Sequence, residues 1–201
     1  MQTVNQFLRR VPPWVVYLGG VMPFVWIVWL TVNGGLGADP VKEIELRLGL
    51  LALQFLVAGL CVTPLRWVGL NLIRYRRAIG LMAFFYVTMH LLTWGVLDMG
   101  LRLDQIAADL VKRWYIIIGL AGFLMLVPLA VTSNNLSIRR LGPKTWQRLH
   151  RLTYAAILAG SVHYVMIGKV WLVEPLLYLT AALVLLSLRL WKARPRAAAM
   201  A

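Results

Sequence analysis

The stretch Lys144–Tyr164, KTWQRLHRLTYAAILAGSVHY, decides how the rest of the chain is read. It begins basic, turns apolar, and carries two of the three histidines, His150 and His163. It reads as one helix that enters a membrane from a basic edge. An imidazole at membrane depth is expensive and marks a functional site by default. The two histidines are thirteen residues apart, a rise of about 20 Å. That spacing sets one near each face of a hydrocarbon layer about 30 Å thick. On one straight helix they point about 140° apart at 100° per residue, unless Gly160 allows a bend. The third histidine, His90, lies in another apolar segment.

Composition agrees with a membrane setting. The chain of 201 residues is 61% hydrophobic and 14% charged, against roughly 25% charged in a soluble domain. Six apolar segments appear, at about 14–32, 46–64, 79–97, 114–132, 152–168 and 172–191. Each is near the length needed to span a bilayer. Backbone groups in lipid must be satisfied within their own segment, so these are helices. The expected fold is an all-α six-helix membrane bundle in one domain. The first segment follows Arg9 and Arg10 and is long and Trp-rich for a signal peptide, so it reads as a retained helix.

Charge sets the expected orientation. Six spans put both termini on one side, which receives fifteen of the twenty-one basic residues. All seven acidic residues fall on the other side: Asp39, Glu43, Glu45, Asp98, Asp104, Asp109 and Glu174. The termini are therefore read as cytoplasmic, and the net charge of +14 as a topology signal. Nucleic acid is not an expected partner, because the basic residues sit in short loops beside spans. The longest connection on the acidic side, Asp98–Arg113, carries an amphipathic pattern, LRLDQIAADLVKR. It reads as an interfacial helix capping the bundle, with a partner-docking surface as the alternative. Trp94, Trp114 and Trp171 fit an outer aromatic belt, and Trp67, Trp146 and Trp191 an inner one.

The histidines carry the chemistry. His90 and His163 lie at similar distances along helices that run in the same direction, so they share a level in the outer half. Two neutral imidazoles facing each other across a bundle form a bis-histidine haem site. His150 lies at the inner edge, level with Arg76 and Arg77. Its candidate roles are ligand of a second haem, propionate partner and interfacial residue. The guanidinium forks of Arg76 and Arg77 match carboxylates, so propionate pairing is one reading and topology anchoring the other. Met89 and Met166 neighbour the histidines and are further candidate ligands, with gap filling as their ordinary role. Cys61 is the only cysteine, and no C-x-x-C-H run exists, which excludes covalent c-type attachment. No pair of intramembrane carboxylates suggests ion transport, and no Gly-rich phosphate loop suggests a nucleotide site.

Several motifs together resemble the MsrQ (YedZ) family. They are Arg76-Arg77-Ala78-Ile79-Gly80-Leu81 through Tyr86 and His90, then Thr132-Ser133-Asn134, then Leu141-Gly142-Pro143 through Trp146 to Leu149-His150-Arg151-Leu152 and Tyr154. The resemblance covers nearly the whole chain. It implies a ferric-reductase-like cytochrome b of the bacterial inner membrane, with one haem b and a second as the open alternative. It also implies electrons from the quinone pool or a cytoplasmic flavin reductase, with FMN as a further candidate cofactor. The implied acceptor is MsrP, a periplasmic molybdopterin protein that reduces methionine sulfoxide. This chain would then be an electron-transfer subunit rather than the catalytic one. The larger relatives in that group carry two histidines on each of two helices, whereas this chain has one and two. Two rival readings are a ferric or cupric reductase membrane domain and a haem-free transporter or assembly subunit.

Overall fold

The computed structural model describes residues 2–168, 170 and 172–198, the side chains of 193–198 excepted. Trp171, assigned above to the outer belt, lies outside the described residues. The described residues form helices α1 (Gln2–Arg10), α2 (Trp14–Val32), α3 (Pro40–Trp67), α4 (Arg76–Leu92), α5 (Leu103–Lys112), α6 (Trp114–Val131), α7 (Asn135–Leu141), α8 (Pro143–Leu149), α9 (Leu152–Ile167) and α10 (Val173–Ala198). Five are long and apolar enough to cross a membrane: α2, α3, α4 with its flanking turns, α6 and α10. Helix α9, at 16 residues, is shorter.

The boundaries follow local chemistry. Asp39 caps α3 by accepting from Lys42 N at 3.1 Å, and Pro40 occupies the first turn, where its missing N–H costs nothing. The helix therefore begins before the apolar window at Leu46, and its first polar turns extend it to 28 residues. Helix α4 runs on past Leu92 into a π-helical turn, Thr93–Asp98. Gly142, at φ 77°, ends α7 with a backbone conformation that other residues rarely adopt, and Pro143 opens α8.

The stretch expected to form one helix forms two. Helix α8 ends at Leu149, and α9 begins at Leu152, with His150 and Arg151 in the turn between them. His150 caps α8 instead of projecting from a continuous membrane helix. Its ring stacks on Trp146 at 3.8 Å. The separation of 140° expected for a straight helix does not apply.

Helix α9 is the central element despite its length. Ala156, Ile157 and Ser161 are fully or almost fully buried where α9 meets α3, α6 and α10. The core there also includes Leu53, Leu56 and Leu60 of α3 with Leu126 and Leu129 of α6. A second core cluster joins α2, α3 and α4 around Tyr86, which has no exposed surface and donates its hydroxyl to Gly20 O. Arg189 of α10 ties the bundle by donating to Leu60 O at 2.6 Å and to Tyr154 Oη at 2.9 Å. By contrast, α2 exposes Leu18, Met22, Val25, Trp26 and Trp29 on its outer face. Such a face suits lipid contact rather than water. Helix α1 docks on the α3–α4 connection, where Tyr75 Oη donates to Leu8 O at 2.6 Å.

Tyr86 gives a graded stability test. Tyr86→Phe removes one buried hydrogen bond and should cost about 1 kcal/mol. Tyr86→Ala should cost about 3–5 kcal/mol through the cavity it leaves. Thermal unfolding of the two variants in detergent checks the order.

Candidate functional site

His90 on α4 and His163 on α9 face each other across a cavity. Their ring centroids are 6.2 Å apart and their planes 81° from parallel. Each is held by the same local device on a neighbouring helix. His90 Nδ1 donates to Glu45 O of α3 at 2.8 Å, and His163 Nδ1 donates to Tyr115 O of α6 at 2.7 Å. A carbonyl oxygen can only accept, so both rings carry their proton on Nδ1. The lone pair on each Nε2 is left without a protein partner.

Glycine makes this approach possible. Gly49 and Gly119 follow Glu45 and Tyr115 by four residues, one helical turn along the same face. A Cβ on Gly49 would meet His90 Nδ1 at 3.1 Å, and one on Gly119 would meet His163 Nδ1 at 2.7 Å. The imidazoles therefore sit against bare helix backbone. Sequence reasoning paired the histidines and missed Glu45, Gly49, Tyr115 and Gly119. The available signal was weak: each glycine lies between large aliphatic residues, as Leu48-Gly49-Leu50 and Ile118-Gly119-Leu120.

The donor set fits a haem iron. Two metal–imidazole bonds of about 2.0 Å, with each ring centre about 1.1 Å beyond its nitrogen, put two centroids about 6 Å apart. The observed 6.2 Å matches one metal between the rings. Among the described residues no three His, Cys, Asp or Glu side chains gather as a metal site. A bare transition metal usually needs three or four protein ligands, whereas a porphyrin brings four nitrogens and leaves two axial positions. Apolar residues including Leu53, Leu56, Val87, Phe123 and Leu126 line most of the cavity, as a porphyrin face requires. Met89 packs in the second core cluster, and neither Met89 nor Met166 lines the cavity.

His150, Arg76 and Arg77 come together at a second cavity. At about 370 Å³, against about 190 Å³ for the first, it has at least as much room. Arg74 also lines it, and among the described residues no carboxylate does. The neighbours of His150 fix its tautomer. Thr132 Oγ1 gives its proton to Pro128 O at 2.6 Å. At 3.1 Å from His150 Nε2 it must therefore accept, so His150 carries its proton on Nε2 and its lone pair on Nδ1. Trp146 Nε1 donates to Thr132 O at 2.9 Å and fixes the stacked ring from the other side. Burial, reinforced by the charge of Arg76, lowers the His150 pKa to about 4, so it is neutral at pH 7. This protonation pattern is the reverse of that at His90 and His163. Arg77 donates to Asn135 Oδ1 at 2.9 Å, which links α4 to the start of α7.

Residues 44–161 match the family described as ferric reductase like transmembrane component. The chain is also 50% identical over 184 residues to proteins of Brucella ovis, Brucella canis and Brucella suis. The match covers 90% of this chain and 82% of each relative. All three are named protein-methionine-sulfoxide reductase heme-binding subunit MsrQ. The chain belongs to the MsrQ family, within the ferric-reductase-like transmembrane group. No solved structure matches the chain. The matched span holds Glu45, Gly49, His90, Tyr115, Gly119 and His150, and it ends two residues before His163.

The glycine seats differ in tightness, and the difference is measurable. Gly119→Ala forces a contact at 2.7 Å against a ring held by its own hydrogen bond, whereas Gly49→Ala adds one at 3.1 Å. Overpacking of this kind costs about 1–3 kcal/mol. Gly119→Ala should lower the thermal midpoint in detergent more than Gly49→Ala.

Proposed function

We propose that this chain is the haem b membrane subunit of a methionine sulfoxide reductase system. It passes electrons to a periplasmic molybdopterin catalytic subunit of the MsrP type. The observation that carries the reading is the His90–His163 pair, with centroids 6.2 Å apart and both Nδ1 protons tied to helix carbonyls. The names of the relatives, at 50% identity, support it. Haem bound there would carry one electron at a time between ferric and ferrous states. Reduction of a sulfoxide to a thioether takes two electrons and two protons and releases water. Two one-electron passages therefore serve each turnover, and this chain performs no bond chemistry on the sulfoxide.

The residues act by position. Glu45 O and Tyr115 O fix the ring orientation and raise the basicity of Nε2. The apolar lining excludes water and holds the site at low polarity. The proposed topology has six spans in the bacterial inner membrane. Helix α9 is the fifth, and both termini are cytoplasmic, as the segregation of charge supports. The second cavity then faces the donor side. A second carrier bound there would receive electrons from the quinone pool or a cytoplasmic flavin reductase, and Arg74, Arg76 and Arg77 would hold its anionic arms. The two cavities share Leu56 and Leu126 as walls, and Phe84 of the second stacks on Phe123 of the first at 5.8 Å. Stepwise transfer between the cavities is therefore short-range.

A reduced-minus-oxidised absorbance spectrum with pyridine haemochrome quantitation tests the reading. Wild-type protein should show a b-type signal, which His90→Ala or His163→Ala abolishes at the first cavity. Normal haem content in both variants would sink the ligand assignment. A haem-to-protein ratio of two that falls to one in His150→Ala identifies the second carrier as haem. A ratio of one with bound flavin identifies it as FMN.

A further inference from the structure

We propose that Lys42 and Arg113 form the anion-binding rim of the His90–His163 cavity and hold the propionate carboxylates of the group bound there. This rests on the haem reading above. Three observations carry it. First, among the described residues lining this cavity, Lys42 and Arg113 are the cations and Glu45 is the carboxylate. The rest of the lining is apolar apart from the two histidines, Trp94 and Tyr115.

Second, the cations are built into the segments that orient the histidines. Lys42 precedes Glu45, the acceptor for His90, by three residues at the start of α3. Arg113 precedes Tyr115, the acceptor for His163, by two residues at the start of α6. Each cation therefore sits up to about one helical turn beyond its histidine's acceptor, toward the same end of the bundle. Propionates leave a porphyrin at its edge, away from the line joining the axial ligands. A cation offset along the helix from each imidazole acceptor is where such an edge would emerge.

Third, both cations rest on carboxylates of their own helical turns and are free to share them. Lys42 Nζ lies 2.8 Å from Glu45 Oε2, and Arg113 Nη1 lies 3.3 Å from Asp109 Oδ2. The Arg113 contact lacks hydrogen-bond geometry, and Asp109 Oδ2 is buried without a hydrogen-bond partner. The guanidinium is thus loosely tethered, with donors to spare for a planar carboxylate. Both side chains remain substantially exposed, at 44% and 50%, so they reach the rim rather than the core.

An equilibrium redox titration of the purified full chain, followed by haem absorbance, tests the assignment. A cation beside the haem favours the reduced form, which carries one less positive charge. Lys42→Gln and Arg113→Gln should each weaken the reduction equilibrium about tenfold, or 59 mV for a one-electron couple. Glu45→Gln should shift it in the opposite direction. Lys42→Arg and Arg113→Lys should stay near wild type, as should Arg140→Gln at the other end of the bundle. With haem dimethyl ester, whose propionates are uncharged, the shifts from both Gln variants should shrink.

The outcomes separate two failures. A wild-type protein without haem overturns the haem reading itself. Haem present, with potentials unmoved in both Gln variants or with shifts undiminished in the ester, overturns the rim assignment alone. Loss of haem from the Gln variants with retention in Lys42→Arg and Arg113→Lys supports the assignment. Loss from all four shows a structural role and overturns it.

Discussion

Both site histidines depend on one constraint: an imidazole placed among apolar helices must account for two nitrogens. At His90 and His163 one nitrogen is settled by a backbone carbonyl that already serves its own helix. The residue one turn on is glycine, which leaves the ring room to reach that carbonyl. The second nitrogen is left without a protein partner, on a ring whose centroid lies 6.2 Å from that of the other histidine. Both histidines line the cavity, and a metal between the rings would satisfy both nitrogens at once.

The helix pairing follows from this arrangement. The α3–α4 and α6–α9 pairs are the two most extensive packing interfaces in the bundle. Each contains one histidine and the glycine seat that holds it. The cavity lies between these two tightly packed units, so the distance between the rings is set by core packing rather than by loops. Close packing transmits small volume changes. A methyl group added at Gly49 or Gly119 would therefore be felt at the ring itself. Leu56 and Leu126, which help to form the core, also line both cavities, so the scaffold and the site are built from the same residues.

The opposite end of the bundle works on different terms. His150 sits in a turn, stacks on Trp146 and spends its Nε2 proton on Thr132. Ligation through Nε2 would require that bond to break, whereas Nδ1 retains its lone pair. Among the described residues, the cavity wall around it carries three arginines and no carboxylate. A site of that charge suits an anionic group, and its chemistry is set by the cations rather than by a matched pair of imidazoles. The two ends thus differ in kind.

Much of this was legible in the chain itself. Apolar segments of spanning length and the three histidines required a helical membrane bundle with candidate ligands, because lipid demands internal hydrogen bonding and penalises polar side chains. The shared level of His90 and His163 followed from helix rise alone. Other features could not be read from one dimension. The break after Leu149 depends on Trp146 and Thr132 capturing His150, contacts that local helical periodicity does not register. The seats at Gly49 and Gly119 look like ordinary glycines in apolar runs, since only the approach of a second helix reveals what a Cβ would strike. The ring tautomers likewise depend on carbonyls 45 and 48 residues away in sequence. Hydrophobic pattern decided which segments are helices, whereas packing between them decided which atoms of the histidines face the cavity.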